Sequence, residues 1–418
     1  MRCMDCARRL VGDESPSPAL RRKVLSQSPG EGSTFRRSRE SMRAALVKYS
    51  GRRLGNHEAV WFDMPFRSTL ESYYNTGDIC VYDSTLRLLD YSDGTILNID
   101  EPVTEAGVER IKANCDFILL RGSNYIHEDM DWGHFGQWIE ALDMPVLCVG
   151  VGAQAETERP IVLPPEGRRL WAAIAERTPA IGVRGAFTAE TMHRNGIHNI
   201  EIVGCPSVFR GLNREMKLVH APGGPKRLTF SLRREVSSTY AVDPAAFAVT
   251  QKRIIAKLAL VSDLYLSCHG EPEEKAFFFK APQHMAAAAA KLVAEGWFDE
   301  TTGRLMRDLY ESRLYYVGAP GDYDVYAPQF DAALGYRVHA VLPAVAVGVP
   351  GVLFAYDTRS RELAETFDLP IYSPEEFERQ TLADAFAPAR FDRFQSLFAD
   401  RYDRMKAFIE KNGVPTRM

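Results

Sequence analysis

An arginine and a histidine stand two residues apart at the start of an apolar segment. The stretch Gly335-Tyr336-Arg337-Val338-His339-Ala340 is followed by small and apolar residues as far as Val347. A guanidinium and an ionisable imidazole in such surroundings are costly unless a ligand or a partner group compensates them. Arg337 and His339 are therefore candidate catalytic residues. The alternative is a structural pair of these two side chains.

A second arginine lies where a predicted strand is followed by a helix. The residues Val183-Arg184-Gly185-Ala186-Phe187-Thr188 place Arg184 beside the backbone N–H groups of a helix N-terminus. Both the helix end and a guanidinium fork bind anions. Arg184 and Thr188 are candidate substrate-binding residues, and a surface arginine is the alternative.

Two short turns add further candidates. Asn75-Thr76-Gly77-Asp78 is predicted to precede the first strand, with Asp78 in the cleft as an acceptor-binding carboxylate or base; the alternative is a plain turn. Val149-Gly150-Val151-Gly152-Ala153-Gln154 follows a strand, but it lacks the third glycine of a dinucleotide fingerprint. Asn75 and Gly77, with Gly152 and Gln154, are thus predicted to line the substrate cleft.

Two groups of metal-ligating residue types have unconvincing spacing. His127, Glu128, Asp129, Asp131 and His134 match no named zinc or calcium loop and are predicted to be solvated loop residues. Cys3 and Cys6 form a CxxC without a second pair at zinc-site spacing. We expect no metal site and no cofactor.

The elements that must position these residues alternate between strands and helices. Buried strands are predicted at Ile79–Tyr82, Phe117–Leu120, Val146–Val149, Ile181–Val183, Ile200–Val203, Leu228–Leu232, Leu264–Ser267, Tyr315–Val317 and Val352–Phe354. Helices are predicted at Glu105–Ala113, Glu166–Glu176, Ala186–Asn195, Ala245–Leu260, Ala286–Glu295, Val338–Val347 and around Phe391–Lys411. This rhythm predicts an α/β fold of two Rossmann-like, doubly wound domains facing a cleft, with ligands at the carboxyl ends of the strands.

A run of proline and glycine at 220–225 divides the chain. We predict a basic flexible tail over 1–40, an N-terminal domain over 41–220 on the acceptor side, a C-terminal domain over 221–380 on the donor side, and a helical segment over 381–418. Residues 1–55 hold thirteen Lys and Arg against five Asp and Glu, a net +8. Such a segment favours contact with anionic lipid.

Composition narrows the class of protein. The 418 residues are 45% apolar and 25% charged, as in globular proteins, and the net charge of −4 argues against nucleic-acid binding. Seven scattered cysteines indicate reduced thiols in a cytoplasm rather than a disulfide framework. No apolar run approaches the roughly 20 residues of a membrane span.

In this order, the motifs resemble the polysaccharide pyruvyl transferase family. They are Asn75-x-Gly77-Asp78, Gly150-x-Gly152-x-Gln154, Arg184 with Thr188, Arg337-x-His339-Ala340 and Gly348-Val349-Pro350, spread over roughly residues 70–375. The resemblance implies a glycosyltransferase-B-like fold. It also implies transfer of an enolpyruvyl unit from phosphoenolpyruvate to a sugar, forming a pyruvate ketal. The basic tail adds the expectation of a lipid-linked saccharide as acceptor, at the inner face of the membrane.

The chain departs from the family pattern at three places. Arg121-Gly122-Ser123-Asn124 stands where members often have a glycine-rich turn, Cys205-Pro206 replaces a common Asp-Pro, and Asp331 is the nearest acid upstream of Arg337. Three alternatives are open: a glycosyltransferase that uses a nucleotide sugar, a non-catalytic sugar-binding relative, and a protein held at membranes by its basic tail. The acceptor sugar and the oligomeric state are not determined by these residues.

Overall fold

The computed structural model describes residues 42–49, 51–60, 65–130, 132–155, 157–234 and 243–418. All of them belong to one unit, Ser41–Met418. The predicted tail with Cys3 and Cys6, and the predicted loop residue Asp131, lie outside the described residues. In the described part of the chain, every helix is too short or too polar to cross a bilayer.

The first half of the chain is built around a four-stranded parallel sheet. The strands of this half are β1 (Met42–Val47), β2 (Arg52–Arg53), β3 (Ala59–Val60), β4 (Tyr91–Leu97), β5 (Phe117–Arg121), β6 (Val146–Val149), β7 (Ile181–Val183) and β8 (Ile200–Ile202). The sheet order is β4-β1-β5-β6, β7 pairs in parallel with β8, and β2 and β3 form a separate antiparallel pair. A bridge from Val151 to Val183 links the end of β6 to β7. Four of the five strands predicted in this half are confirmed.

Alternate residues of β1 enter two different cores. Ala44 and Leu46 pack into one buried cluster, while Ala45 and Val47 pack into another on the opposite face of the sheet. The helices of this half are α1 (Phe66–Glu71), α2 (Thr76–Leu88), α3 (Glu105–Asn114), α4 (Phe135–Leu142), α5 (Pro165–Ala175) and α6 (Ala186–Arg194). A parallel sheet buried on both faces is the Rossmann-like arrangement that the rhythm predicted.

The predicted strand at Ile79–Tyr82 is wrong, because these residues lie inside α2. Eleven of the thirteen residues of α2 are buried. A helix covered on all sides has no polar face, so a short apolar run within it cannot be distinguished from a strand by periodicity. The Ser84 and Thr85 hydroxyls donate to carbonyls four residues earlier, at 2.6 and 2.8 Å. Asn75-Thr76-Gly77-Asp78 therefore opens a helix.

The second half holds a six-stranded sheet in which every pairing is parallel. Its strands are β9 (Arg227–Ser231), β10 (Asp263–Cys268), β11 (Leu314–Tyr316), β12 (Ala332–Gly335), β13 (Gly351–Phe354) and β14 (Ile371–Tyr372), in the order β11-β10-β9-β12-β13-β14. Its helices are α7 (Pro244–Val261), α8 (Pro272–Phe278), α9 (Pro282–Ala294), α10 (Gly303–Ser312), α11 (Asp322–Tyr326), α12 (Val338–Ala346), α13 (Thr358–Phe367), α14 (Pro374–Glu378) and α15 (Leu382–Ala385). The fold class is confirmed: two Rossmann-like sheets in one α/β chain.

The last helix, α16 (Asp392–Lys411), returns to the first half. Asn412 accepts a hydrogen bond of 2.6 Å from Thr178, and the backbone N–H of Arg417 donates to the carbonyl of Leu88 at 2.9 Å. The chain thus crosses between the halves twice. The domain boundaries at 220 and 380 stay predictions.

Candidate active site

Loops at the carboxyl ends of the two sheets contact one another. The backbone N–H of Ala155, beyond β6, donates to Oγ1 of Thr358, beyond β13, at 3.2 Å. Sγ of Cys205, beyond β8, lies 3.8 Å from Nε2 of His339, beyond β12. The carboxyl ends of parallel strands are where α/β folds bind ligands. The predicted candidates are found along this junction.

His339 lies in the first turn of α12, with backbone angles (φ −81°, ψ 17°) that depart from the helix. Its side chain faces the Cys205 thiol. Removal of the imidazole from water, with the positive charges of Arg359, Arg184 and Arg121, holds the pKa of His339 well below its ordinary value. Burial and these positive charges both favour the neutral form of the imidazole.

Arg337 is buried and paired with a carboxylate. Its Nη2 donates to Glu271, which is 1% exposed, and its Nε donates to the carbonyl of Leu232 at 2.8 Å. Burial and the nearby charge of Arg233 lower the pKa of Arg337. Arg337 and His339 thus face different partners and do not form the structural pair considered as an alternative.

Arg184 and Thr188 surround an internal carboxylate. Glu362 of α13 accepts from Nε of Arg184 at 2.7 Å, and from the backbone N–H and hydroxyl of Thr188 at 2.7 and 3.0 Å. Nη1 of Arg184 donates to Asn124 at 2.6 Å. This corrects the expected open anion site, because the N-terminus of α6 already binds Glu362. The pair instead ties the first half to the second.

Gly152 lies directly against the guanidinium of Arg184. A Cβ atom at this position would be 2.2 Å from Cζ of Arg184, and side chains do not tolerate that approach. Glycine is therefore needed here for the close packing of Arg184.

We expect Gly152→Ala to lower the free energy of unfolding by about 1–3 kcal/mol, because the new methyl group displaces a buried guanidinium. Gly136 in α4 is the matched control, since a Cβ there meets nothing within 4 Å. Gly136→Ala should stabilise the helix by about 0.5–1 kcal/mol. Urea denaturation of both variants measures the difference, and equal midpoints would contradict the close contact.

Gln154 carries a polar atom with no partner in the described residues. Its side chain is 5% exposed and its Nε2 donates to the carbonyl of Ala155 at 3.2 Å, but its Oε1 has no hydrogen-bond donor within that part of the chain. A buried acceptor of this kind is costly unless a ligand or water satisfies it. Gln154 remains a candidate substrate-binding residue.

The first turn of α2 brings Asn75 and Asp78 together at the junction. Nδ2 of Asn75 donates to Asp78 at 3.1 Å, and the Ser123 hydroxyl donates to the other carboxylate oxygen at 3.4 Å. The side chain of Asp78 is 38% exposed, so a ligand can reach it. Gly77 packs against the ring of His269 from the second half. Asp78 is thus the accessible carboxylate of this side of the site.

Sequence reasoning missed four residues of the site. Arg121 ends β5, Glu271 follows β10, and Arg359 and Glu362 follow β13. For Arg121, Glu271 and Arg359 the signal available was position, because each comes within five residues of the carboxyl end of a strand, whereas Glu362 lies further on, inside α13. Asp331, expected as the nearest acid, accepts instead from the backbone N–H groups of Lys226 and Arg227 at the start of β9.

The predicted absence of a metal cluster remains an expectation. Among the described residues, no group of three or more metal-ligating side chains converges. Glu128 pairs with Arg159 at 2.8 Å, and Nδ1 of His134 lies 3.3 Å from Gln137. These contacts fit the solvated-loop interpretation.

The sheets and the junction define an α/β protein of the glycosyltransferase-B-like type, with a polar site between two Rossmann-like halves. The family model described as polysaccharide pyruvyl transferase matches residues 40–358, which is more than half of the chain. The chain belongs to the polysaccharide pyruvyl transferase family and is a transferase. No curated protein matches the sequence significantly.

Solved structures of similar fold include UDP-sugar enzymes. HepE from Anabaena, in a complex with UDP and glucose, is 8% identical over 89% of this chain and 97% of its own, with a TM-score of 0.42. A UDP-N-acetylglucosamine 2-epimerase (putative in its title) from Listeria monocytogenes is 12% identical over 89% and 97%, with a TM-score of 0.40. The trehalose-6-phosphate synthase OtsA is 10% identical over 90% and 100%, with a TM-score of 0.43. At these values the likenesses carry no inference about chemistry.

Proposed function

We propose that this protein transfers an enolpyruvyl unit from phosphoenolpyruvate to a sugar of a polysaccharide or its precursor, forming a pyruvate ketal. The observation that supports this most is that Arg121 lies at the carboxyl end of β5, that Arg359 follows the carboxyl end of β13, and that their positive charges act on His339. Phosphoenolpyruvate carries a phosphate and a carboxylate, and guanidinium groups bind both in bidentate geometry. Family membership supports the same donor.

The donor would lie beside Arg359 and the Arg337–Glu271 pair. Arg337 uses Nε and Nη2 for protein partners, and Arg359 donates to the Tyr356 hydroxyl at 2.9 Å. Both residues follow the carboxyl ends of strands, Arg337 after β12 and Arg359 after β13, where such folds bind ligands. In this proposal the second half supplies the donor site. Arg184 is a positioning residue, because its bond to Glu362 holds the two halves together at the junction.

His339 would supply the proton for the first step. Because its pKa is held low by desolvation and by arginines, the free enzyme has a neutral imidazole. A bound anionic donor offsets those positive charges and raises the pKa of His339, so protonation becomes coupled to donor binding. The imidazolium then acts as a general acid toward the methylene carbon.

The bonds balance over two additions. The methylene carbon gains a proton from His339, and a sugar hydroxyl forms a bond to C2 of the resulting oxocarbenium-like centre as it loses its own proton, which replaces the one given up by His339. The C2–O bond to phosphate then breaks, a second hydroxyl forms a bond to C2 and closes the ketal, and its proton leaves with phosphate. Asp78, accessible beside Asn75 and Ser123, would orient or deprotonate the attacking hydroxyl.

The same proposal places the protein in a reducing compartment, at or near the inner face of the membrane. Five cysteines of the described residues are free and buried, which supports a reducing environment. The acceptor would be a sugar or a lipid-linked saccharide, and the net +8 over residues 1–55 would favour contact with anionic lipid.

Calorimetry and phosphate release test the function. We expect phosphoenolpyruvate to bind, more weakly as salt rises, and to release phosphate only when a sugar acceptor is present. Arg169→Met, which changes an arginine whose side chain is 69% exposed, should behave as the wild type. Binding of a nucleotide sugar without binding of phosphoenolpyruvate would overturn the proposal in favour of glycosyl transfer. Binding of donor and acceptor without phosphate release would indicate a non-catalytic relative.

A further inference from the structure

Arg121 is a buried arginine whose hydrogen bonds are incomplete. It is 6% exposed, and its Nη1 donates to the carbonyl of Gly122 at 2.9 Å. The nearest carboxylate oxygen, of Asp78, is 3.7 Å from Nη1 and beyond hydrogen-bond distance. Within the described residues, Nε of Arg121 has no hydrogen-bond acceptor.

Two aromatic rings pack against this guanidinium, and Asp78 adds only a long ion pair at 3.7 Å without a hydrogen bond. Its Cζ lies 5.0 Å from the ring centre of Tyr82 and 5.6 Å from that of Tyr125. Tyr82 is itself fixed, since its hydroxyl donates to the carbonyl of Val47 and its ring packs edge-on against Tyr49. The buried hydroxyl of Tyr125 also has no partner in the described part of the chain. The cluster therefore presents two donors without acceptors.

Arg210 shows how this fold treats a purely structural arginine. It is 1% exposed and is held by Asp324 at 2.9 and 3.0 Å, by the Ser84 hydroxyl at 2.9 Å and by the carbonyl of Pro320 at 2.9 Å. Asp83 adds a second carboxylate at 3.1 Å. A buried positive charge is normally compensated in this way.

We propose that Arg121 is an oxyanion-binding residue of the cleft, which takes a phosphate or carboxylate group of a substrate through its guanidinium. The inference deepens the proposed function and rests on it. Arg121 ends β5, where ligands of such folds bind, and its charge acts on His339. The oxyanion comes either from phosphoenolpyruvate or from an acidic group on the acceptor saccharide.

The test compares Arg121→Met with Arg210→Met in the full chain. Methionine keeps much of the packing between Tyr82 and Tyr125 but removes the charge. We expect Arg121→Met to keep the thermal midpoint of the wild type or to raise it, because an incompletely bonded charge is removed, whereas Arg210→Met should lower the midpoint. Arg121→Met should also weaken substrate binding about tenfold or more.

Separate binding measurements for donor and acceptor distinguish the two sources of the oxyanion. Weaker calorimetric binding of phosphoenolpyruvate in Arg121→Met assigns the contact to the donor. Unchanged donor binding with a raised KM for the acceptor assigns it to an acidic acceptor group. Inorganic phosphate, titrated by thermal shift, is a third probe: if it stabilises the wild type more than the variant while phosphoenolpyruvate binds neither, the oxyanion site stands and the proposed function fails.

Two results would overturn the inference. One is unchanged binding of phosphoenolpyruvate, acceptor and phosphate in Arg121→Met. The other is a fall in the thermal midpoint as large as that of Arg210→Met, together with unchanged binding in the folded fraction. Arg121 would then be a structural residue. If Arg121→Met does not fold, Arg121→Lys is measured instead. It keeps the charge but loses the planar fork, and should weaken binding to a smaller extent.

Discussion

Turnover should fall by about 10²–10⁴-fold when His339 is replaced by glutamine, because the reaction then loses its general acid. The fold should be retained. His339 forms no ion pair among the described residues, and its side chain faces the Cys205 thiol at 3.8 Å. Phosphate release from phosphoenolpyruvate with a competent acceptor measures the loss, and circular dichroism checks the fold.

His193→Gln is the matched control for this prediction. His193 is exposed on α6, with its ring centre 5.7 Å from that of His198 and away from the sheet junction. Its replacement should leave turnover unchanged. Turnover near the wild-type value in His339→Gln, with an intact fold, would remove His339 from the mechanism.

A pH series on the same variant gives a second readout. The folded chain holds the pKa of His339 well below the ordinary value of about 6.5. As the pH falls below that value, the unfolded chain binds a proton that the folded chain excludes, so stability is lost in acid. The wild type should therefore lose more stability than His339→Gln between about pH 7 and 5. His269, whose pKa is lowered by burial, by Arg337 and by His339, is present in both proteins and adds to the loss of stability in acid in each.

Stability should fall by about 3–5 kcal/mol when either member of the Arg184–Glu362 pair is removed. The two side chains are 4% and 2% exposed, so Arg184→Met leaves a buried carboxylate without its guanidinium. Glu362→Leu leaves a buried guanidinium and also frees the backbone N–H of Thr188. Free energies of unfolding from urea denaturation measure both losses.

The double variant and a surface ion pair are the comparisons that this experiment needs. Arg184→Met with Glu362→Leu should cost less than the sum of the single changes, because no uncompensated charge is left. The Arg169–Glu140 pair has equally short contacts, 2.8 and 2.7 Å, but its side chains are 69% and 36% exposed. Arg169→Met should cost about 0–1 kcal/mol. An equally small cost for Arg184→Met would show that the buried pair does not hold the halves together.

The Arg184–Glu362 pair shows which part of the site can be predicted from the sequence and which part cannot. Its strand-to-helix junction at Arg184 was predicted from local residue types, and the structure has β7 ending at Val183 and α6 starting at Ala186. The partner was not predictable. Glu362 is 178 residues away in the chain, and nothing in the sequence around it indicates which helix end it meets.

The helix α2 shows a second limit. A short apolar run carries the same pattern whether it is a buried strand or part of a helix covered on all sides, and Ile79–Tyr82 is the latter. The first strand of the chain is instead β1, Met42–Val47, which precedes α2. Its alternate residues belong to two cores that exist only once helices cover both faces of the sheet.

By itself, the sequence determined the α/β rhythm, the candidate residues Arg337 and His339 at the mouth of an apolar helix, and the resemblance to the family. These depend on residue types within one or two turns of chain, where periodicity and helix-end chemistry act. Only the tertiary structure decided which side chains meet: Arg337 with Glu271, 66 residues away, and His339 with Cys205, 134 residues away. Electrostatic and hydrogen-bond partners depend on distance in space, and the packing of two sheets, rather than local spacing, sets that distance.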